Sequence, residues 1–184
     1  MNKITKIILT TNSHTISNYA QYLKIDNLLV DVRSDGLASL NTPIDETVSY
    51  LLDEYGEQLG SLDTISIINY EYPMRDSKYI DKLIDVLSVY SADSSISVSE
   101  EKSNFYHHSG LGLKPLSTNT NLHLERDILY KETGGLHCVR YDSFLKTGKI
   151  SSECETHIIL DESSSFKIET RNDFDFLEFL YQKK

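Results

Sequence analysis

The chain has 184 residues, which is near the upper end for one compact domain and short for two. It carries 18 lysines and arginines against 28 aspartates and glutamates, and the net charge of −10 disfavours binding to nucleic acid or to an anionic membrane surface. Two cysteines do not make a secreted disulfide framework, and no apolar run approaches the roughly 20 residues that span a bilayer. We therefore expect a reduced, soluble, cytoplasmic, acidic globular domain.

The first hundred residues alternate between predicted strands and predicted helices. Short β-branched and apolar runs predict strands over 4–10, 28–32, 64–68 and 95–99. Ser13 is the expected cap of a helix over 14–24, Thr42 with Pro43 begins a second helix, and Asp76 or Ser77 begins a third. This alternation predicts an α/β fold, with a mainly parallel sheet and helices on both faces.

The second half of the chain is less regular. Residues 100–135 are polar and insertion-like, and they are followed by a predicted strand over 136–141 and a short helix over 141–147. Short strands are expected at 157–160 and 166–168, and Asn172 is the expected cap of a final helix over 173–182. We expect a single domain over 1–184 with a small mixed α+β part, and burial of Ile7, Ile67, Val98 and Leu180.

Two of the five arginines, Arg33 and Arg75, follow predicted strands, at the edge of the sheet where α/β proteins bind ligands. A guanidinium there can clamp a phosphate or carboxylate, and the alternative is an ordinary surface ion pair.

Other chemistry-bearing residues favour a structural interpretation. His107, His108, His123 and His157 have no common metal-ligand spacing and are expected to be solvated. Cys138 lies in an apolar run and is expected to be a buried small side chain. Gly134-Gly135 lacks the rest of a phosphate-binding loop, so close backbone packing is its expected role.

Several segments, taken in chain order, carry a family resemblance. Residues 9–16 (LTTNSHTI) are similar to a VSTDDxxI step, and residues 32–38 with 42–45 (VRSDGLA, TPID) are similar to RPxxLAxD. Residues 67–75 (IINYEYPMR) are similar to LLQPTSPLR, and residues 95–99 (SISVS) are similar to SVVSV. Arg126 with residues 134–137 (GGLH) is similar to RQxLP and NGAIY. Residues 165–174 (SFKIETRNDF) are similar to SxDIDTxxDF. In this order the chain resembles the acylneuraminate (CMP-sialic acid) synthetases, the cytidylyltransferases that activate nonulosonic acids.

The resemblance implies a Rossmann-like nucleotidyltransferase fold that transfers CMP from CTP to a nonulosonic acid with Mg²⁺ as cofactor. Arg33 matches the family's arginine near cytosine, and Thr42 falls near the residue that contacts the base through its backbone. Arg126 matches the arginine that holds the sugar-acid carboxylate, and Arg75 is expected at the wall of the same cleft. Glu169 is the candidate metal ligand.

The sequence departs from the family pattern at three places. Nothing in it matches the family's first strand and its Gly/Arg/Lys-rich loop, which cradles the triphosphate. The two metal-binding aspartates of DID are Lys167 and Glu169 here, so an ammonium stands where one carboxylate is needed. The QPTSP loop is 69–73 (NYEYP) and keeps only its proline. We expect Lys167 and Glu169 to point the same way and to pair, because residues two apart in a strand share a face.

Two hypotheses remain open. In the first, the chain is a cytidylyltransferase domain that needs a complementing N-terminal segment; in the second, it is a non-catalytic sugar-acid or nucleotide-binding module or a protein-interaction module. Lys167 favours the second, because a complementing segment restores the loop but not the metal ligand. We expect no tightly bound Mg²⁺ and no CMP transfer by the isolated chain. A homodimer or a complementing chain is expected to cover the apolar surface that the family's first strand normally covers.

Overall fold

The computed structural model describes residues 4–39, 41–115 and 128–182. Its helices are α1 (His14–Tyr22), α2 (Ile44–Leu59), α3 (Lys78–Val89), α4 (Tyr141–Thr147) and α5 (Arg171–Gln182). Its strands are β1 (Ile7–Thr11), β2 (Leu28–Val32), β3 (Thr64–Ile68), β4 (Ser94–Glu101), β5 (Tyr106–His108), β6 (Leu113–Pro115), β7 (Leu129–Arg140) and β8 (Glu155–Ile159). None of the helices in these residues is long and apolar enough to cross a membrane.

The chain divides into two compact units. Unit 1 comprises the described residues of Met1–Asp63 and Tyr141–Ile150, and unit 2 comprises those of Thr64–Arg140 and Ser151–Lys184. Each unit is therefore assembled from two separate stretches of the chain. The expectation of one domain over 1–184 stays a prediction.

Unit 1 contains a parallel pair of strands joined by a helix. β1 and β2 pair from Ile7 opposite Leu28 to Thr11 opposite Val32, and α1 makes the crossover that parallel strands require. The predicted cap of α1 is confirmed, because the Ser13 side chain accepts a hydrogen bond from the Ile16 amide at 3.4 Å. Ile7 is 45% exposed, so its expected burial was wrong: on its second edge β1 has no hydrogen-bonded strand among the described residues.

The start of α2 differs from the prediction by one residue. Pro43, not Thr42, is the cap residue, and the helix has no side-chain cap hydrogen bond. The Thr42 hydroxyl donates instead to the carbonyl of Gly36 at 2.9 Å, which closes the loop after β2. The competing local turn therefore takes the hydroxyl that a cap would use.

Unit 2 is built on a four-stranded sheet in the order β3-β7-β4-β8. β3 and β4 each pair antiparallel with β7, and β8 pairs parallel with β4, so three of the four strands run the same way. The mainly parallel α/β class expected from the sequence is confirmed. The four early predicted strands do not form one hydrogen-bonded sheet, because β1 and β2 pair only with each other among the described residues.

α3 covers one face of this sheet and forms the apolar core of unit 2. The core cluster consists of Tyr79, Leu83, Leu87, Ala92, Leu136, Cys138, Ile158 and Leu160. Ser77 lies at the start of α3 as expected, and the apolar residues of the helix recur every three or four positions. Burial of Cys138 is confirmed, and burial raises the pKa of its thiol.

Several expectations for the second half are corrected. Part of the insertion-like region 100–135 belongs to the four-stranded sheet, because β7 begins at Leu129. In the same region, β5 and β6 form a separate antiparallel hairpin. Residues 166–168 are not a strand; the amide of Ile168 donates to the carbonyl of Glu71 at 2.9 Å outside any ladder. Val98 is buried as predicted, whereas Ile67 and Leu180 are only half-buried. In α5, Leu177 is the buried side chain.

Candidate functional site

An open groove of about 880 Å³ lies in unit 2, at the carboxyl ends of β4 and β8. Its lining residues are Tyr72, Ser99, Glu100, Glu101, Lys102, Lys131, Glu132, Thr133, Ile159, Leu160, Glu162, Ser165, Phe166, Lys167, Glu169 and Asp173. A smaller groove of about 430 Å³ shares Glu169 with it and is also lined by Tyr70, Glu71 and Ile168. Ligands of open α/β sheets settle beyond the carboxyl ends of the strands, so the larger groove is the candidate site.

Lys167 lines the larger groove and is the centre of an ion-pair cluster, which we call the Lys167 cluster and which consists of Lys167, Glu169 and Glu71. Glu71 lines the smaller groove. The Lys167 ammonium donates to Oε1 of Glu169 at 2.8 Å and lies 3.3 Å from Oε2 of Glu71. Hydrogen bonds to Glu169 and then to Glu71 raise the pKa of Lys167, so its charge is kept at every physiological pH. The predicted pairing of Lys167 with Glu169 is confirmed.

Glu71 was missed by sequence reasoning and reaches Lys167 through the loop that follows β3. Its amide donates to Oδ1 of Asn69 at 2.9 Å, and Nδ2 of Asn69 donates back to the Glu71 carboxylate at 3.2 Å. The Asn-x-Glu spacing is the only local signal for this turn, because a short amide side chain readily accepts from the backbone two residues on. The partnership with Lys167 joins residues that are far apart in the sequence.

The first turn of α5 holds Glu169 in place. The Asp173 carboxylate accepts hydrogen bonds from the amides of Glu169 at 3.0 Å and Thr170 at 2.7 Å, and the Asp173 amide donates to the Thr170 hydroxyl at 3.3 Å. These reciprocal bonds form a capping box, and the two backbone donors lower the pKa of Asp173. Thr170, not the predicted Asn172, is therefore the cap of this helix. The T-x-x-D spacing of Thr170 and Asp173 is the sequence signal that predicts this cap.

Gly134-Gly135 forms a bulge in β7 beside the groove. The pairing register with β4 jumps from His137 opposite Ile96 to Glu132 opposite Val98. Ser97 fills the bulge: its hydroxyl donates to the carbonyl of Thr133 and accepts from the amide of Leu136 at 3.2 Å. Both glycines have positive φ, and a Cβ on Gly135 would lie 2.5 Å from Cβ of Asn69. The predicted role in close backbone packing is confirmed.

Arg75 fastens the same bulge to the loop after β3. Its guanidinium donates to the carbonyl of Gly134 and, through both Nη atoms, to the carbonyl of Asn69 at 3.2 Å. Burial lowers the pKa of Arg75 from its usual value. These contacts position the wall of the groove, and direct contact of Arg75 with a substrate stays a prediction.

The groove carries an excess of negative charge. Six carboxylates line it, from Glu100, Glu101, Glu132, Glu162, Glu169 and Asp173, against the three ammoniums of Lys102, Lys131 and Lys167. Glu132 is also bound to Nε2 of His137 at 3.0 Å. The hydroxyl of Ser165 is buried and has no hydrogen-bond partner in the described part of the chain. This lining accommodates a singly charged or polyhydroxylated group more readily than a polyphosphate.

The other predicted site residues belong to unit 1 or lie outside the described residues. Arg33 and Thr42 belong to unit 1, where the Arg33 amide donates to the carbonyl of Thr11 at 3.0 Å. Nε of Arg33 is buried without a hydrogen-bond partner among the described residues. Arg126 lies outside the described residues. The expectation that Arg33, Arg75 and Arg126 share one cleft stays a prediction.

The donor atoms of the groove do not fit a divalent metal. Mg²⁺ takes oxygen ligands in near-octahedral geometry, and the two positions that resemble the family's aspartates offer an ammonium and a carboxylate already paired with it. Within 4–39, 41–115 and 128–182, no cluster of three or more His, Cys, Asp and Glu side chains is placed to hold a metal. His107 and His108 lie exposed on β5, and His123 lies outside the described residues.

Solved structures of cytidylyltransferases share this fold. A 4-diphosphocytidyl-2C-methyl-D-erythritol synthase aligns with TM-score 0.65 and 12% identity over 97% of this chain and 83% of its own. A CMP:2-keto-3-deoxy-manno-octonic acid synthetase complexed with CTP aligns with TM-score 0.64 and 7% identity over 98% of this chain and 82% of its own. The 4-diphosphocytidyl-2C-methyl-D-erythritol synthase of Anaerococcus prevotii DSM 20548 aligns with TM-score 0.58 and 13% identity over 97% of this chain and 79% of its own.

By sequence, neither a family model nor a curated protein matches the chain. At identities of 7–13% the structural likeness establishes the fold. The Rossmann-like nucleotidyltransferase fold expected from the sequence is confirmed.

Proposed function

We propose that this protein is a cytidylyltransferase-like domain that binds a cytidine nucleotide and is related to the enzymes that make CMP-activated nonulosonic acids. The observation that carries the proposal is the fold shared with a synthetase complexed with CTP over 98% of this chain. The order of motifs that resemble the acylneuraminate synthetases supports the same conclusion. A nonulosonic acid as the second ligand, a cytoplasmic location and a homodimer or complementing chain belong to the proposal.

The proposed nucleotide-binding residues are Arg33 and Thr42, and the proposed sugar-acid residues are Arg126 and Arg75. Arg33 is suited to this role because its Nε is buried without an acceptor among the described residues, and a ligand oxygen would satisfy it. Arg75 acts on the ligand through the groove wall, since its guanidinium is bound to the carbonyls of Gly134 and Asn69.

A non-catalytic role is the second candidate function, and two observations favour it. The Lys167 ammonium is paired with Glu169, the one carboxylate left at the position resembling the family's metal pair. The groove lining holds twice as many carboxylates as ammoniums. Nucleotidyl transfer depends on neutralising phosphate charge, and this lining does the opposite. The isolated chain is therefore expected to bind CMP or a sugar acid without transferring CMP from CTP.

Isothermal titration calorimetry with CMP, CTP and a panel of nonulosonic acids tests the proposal. We expect CMP to bind, and Arg33→Ala to weaken that binding by about tenfold, which is the loss of one charge-assisted hydrogen bond. The matched control is Arg171→Ala, because the contacts of that exposed arginine with Asp175 and with the ring of Phe174 lie within its own helix. If none of these compounds binds the folded wild-type chain, the nucleotide and sugar-acid proposal is wrong.

Pyrophosphate release with CTP, Mg²⁺ and the same panel separates the two functional candidates. The non-catalytic candidate predicts no release above background. Turnover that disappears in Glu169→Ala would establish the catalytic candidate instead.

A further inference from the structure

We infer that the ammonium of Lys167 takes the place of a divalent cation in the groove of unit 2, so that the groove binds its ligand without a metal ion. The inference rests on the proposed function only for the identity of that ligand. It is carried by the geometry of the Lys167 cluster, and it concerns atoms that lie within one compact unit.

The ammonium and a divalent ion compete for the same oxygen atoms. Nζ of Lys167 lies 2.8 Å from Oε1 of Glu169 and 3.3 Å from Oε2 of Glu71, so these two oxygens face one point in space. A Mg²⁺ ion at that point would need them at roughly 2.0–2.1 Å and would sit against a positive charge on the lysine. Like charges at contact distance repel by several kcal/mol even at the effective dielectric of a protein surface, about 4 kcal/mol per unit-charge pair at 4 Å.

The cluster also does structurally what a bridging ion does. Glu71 belongs to the loop after β3, and Glu169 belongs to the segment before α5. The amide of Ile168 donates to the carbonyl of Glu71 between the same two segments. The Lys167 side chain, which is 37% exposed, therefore ties the lining of the larger groove to the Glu71 loop that lines the smaller one. An ammonium has three N–H donors, and the two carboxylates leave one of them for an oxygen of a bound ligand.

Removing the lysine is expected to create a metal site. In Lys167→Ala, Glu71 and Glu169 keep their backbone hydrogen bonds but lose their shared counter-ion, and Lys167→Asp adds a third carboxylate. Titration with Mn²⁺, followed by the electron paramagnetic resonance of the free ion, measures the affinity directly. We expect weak binding to the wild type, binding tightened by about tenfold in Lys167→Ala, and further tightening in Lys167→Asp.

The matched control is Lys146→Ala, because Lys146 pairs with Asp142 at 3.4 Å and both side chains are exposed on helix α4. It lowers the net charge by the same unit but frees only one carboxylate, so it should leave Mn²⁺ affinity at the wild-type value. Equal affinities of wild type and Lys167→Ala would overturn the inference. Tight Mn²⁺ binding to the wild type that is lost in Glu169→Gln would also overturn the inference. This second titration does not depend on the folding of a lysine variant.

Calorimetry with CMP and with the nonulosonic acid panel, first in EDTA and then in Mg²⁺, separates this inference from the proposed function. Equal affinity in the two buffers is expected, and a requirement for Mg²⁺ would overturn the metal-free mode. If CMP binds in neither buffer, the nucleotide proposal fails, whereas the Mn²⁺ titrations of the unliganded protein still decide the role of Lys167.

Discussion

Unit 2 is built around an apolar cluster, whereas unit 1 buries a charged side chain. In unit 2, Leu83 and Leu87 of α3 pack with residues of β7 and β8 and are almost completely excluded from solvent. In unit 1, Asp31 at the end of β2 is 2% exposed. Its carboxylate accepts hydrogen bonds from the hydroxyls of Thr10 at 2.6 Å, Tyr55 at 3.0 Å and Tyr50 at 3.2 Å.

The difference teaches that the two units respond to different perturbations. An apolar cluster is stabilised by area removed from water and by close packing, so it is sensitive to side-chain volume. A buried carboxylate is tolerated only while its hydroxyl donors stay in place, so unit 1 is sensitive to the loss of single polar atoms and to alkaline pH. Hydrogen–deuterium exchange, which reports each unit separately, shows which unit a substitution loosens.

The largest effect is expected from Leu83→Ala. Its side chain is 0% exposed at the centre of the α3–sheet cluster, so the substitution should lower the free energy of unfolding by about 4 kcal/mol. Urea unfolding measures the loss, and exchange should increase in unit 2. The control, Leu111→Ala, removes a side chain that is 99% exposed and should change stability by less than about 0.5 kcal/mol. A loss below about 1 kcal/mol for Leu83→Ala would contradict the apolar description of unit 2.

Gly135→Ala should destabilise unit 2 by about 3 kcal/mol, because the new Cβ meets Asn69 and the ring of Tyr72 at a positive φ of 54°. Gly148→Ala is the control: its φ is also positive, but a Cβ there meets no atom of the described residues within 4 Å. That control should lose only about 1 kcal/mol, from backbone strain alone. Thermal unfolding compares the two variants, and equal losses would show that packing around the β7 bulge is unimportant.

Asp31→Ala should destabilise unit 1 by about 2 kcal/mol, because three hydroxyl donors lose their charged acceptor in a buried position. Asp26→Ala, at an exposed position of the same unit, should be close to neutral. Urea unfolding and exchange at β1 and β2 measure the outcome. A stabilised Asp31→Ala protein would mean that the cost of burying this charge exceeds the value of its hydrogen bonds.

The smallest effect, about 1 kcal/mol, is expected from Tyr55→Phe, which removes one hydrogen bond to Asp31. Burial and the bond to Asp31 raise the pKa of Tyr55 to about 12, because both disfavour the phenolate. The unfolded chain loses this proton near pH 10, so the contribution of Tyr55 is complete below pH 10 and is lost as the pH rises towards 12.

Unfolding measured from pH 9 to pH 12 checks the alkaline contribution of Tyr55. Stability of Tyr55→Phe should fall less steeply in this window than that of the wild type. Tyr22→Phe, which alters a tyrosine that is 79% exposed, should follow the wild-type curve. If stability depends on pH in the same way in all three proteins, Tyr55 does not contribute to the alkaline destabilisation of unit 1.

The pairing of Lys167 with Glu169 was predictable because the two residues are two positions apart, although the strand expected there did not form. The start of α1 and the burial of Cys138 were predictable for the same reason, since caps and apolar runs act over a few residues. The cap of α5 was missed although Thr170 and Asp173 have the spacing of a capping box. The strand expected at 166–168 was wrong because its Ile168 amide is taken by the loop after β3.

The sequence by itself determined the alternation of strands and helices, the acidic charge and the residue types at the candidate site. Only the tertiary structure decided that β7 lies between β3 and β4, that Glu71 completes the Lys167 cluster, and that Arg75 fastens the bulge at Gly134. The physical reason is the range of the interactions. Periodicity, capping and charge act between neighbours in the chain, whereas strand order and ion pairing join residues tens of positions apart whose meeting depends on the whole packed unit.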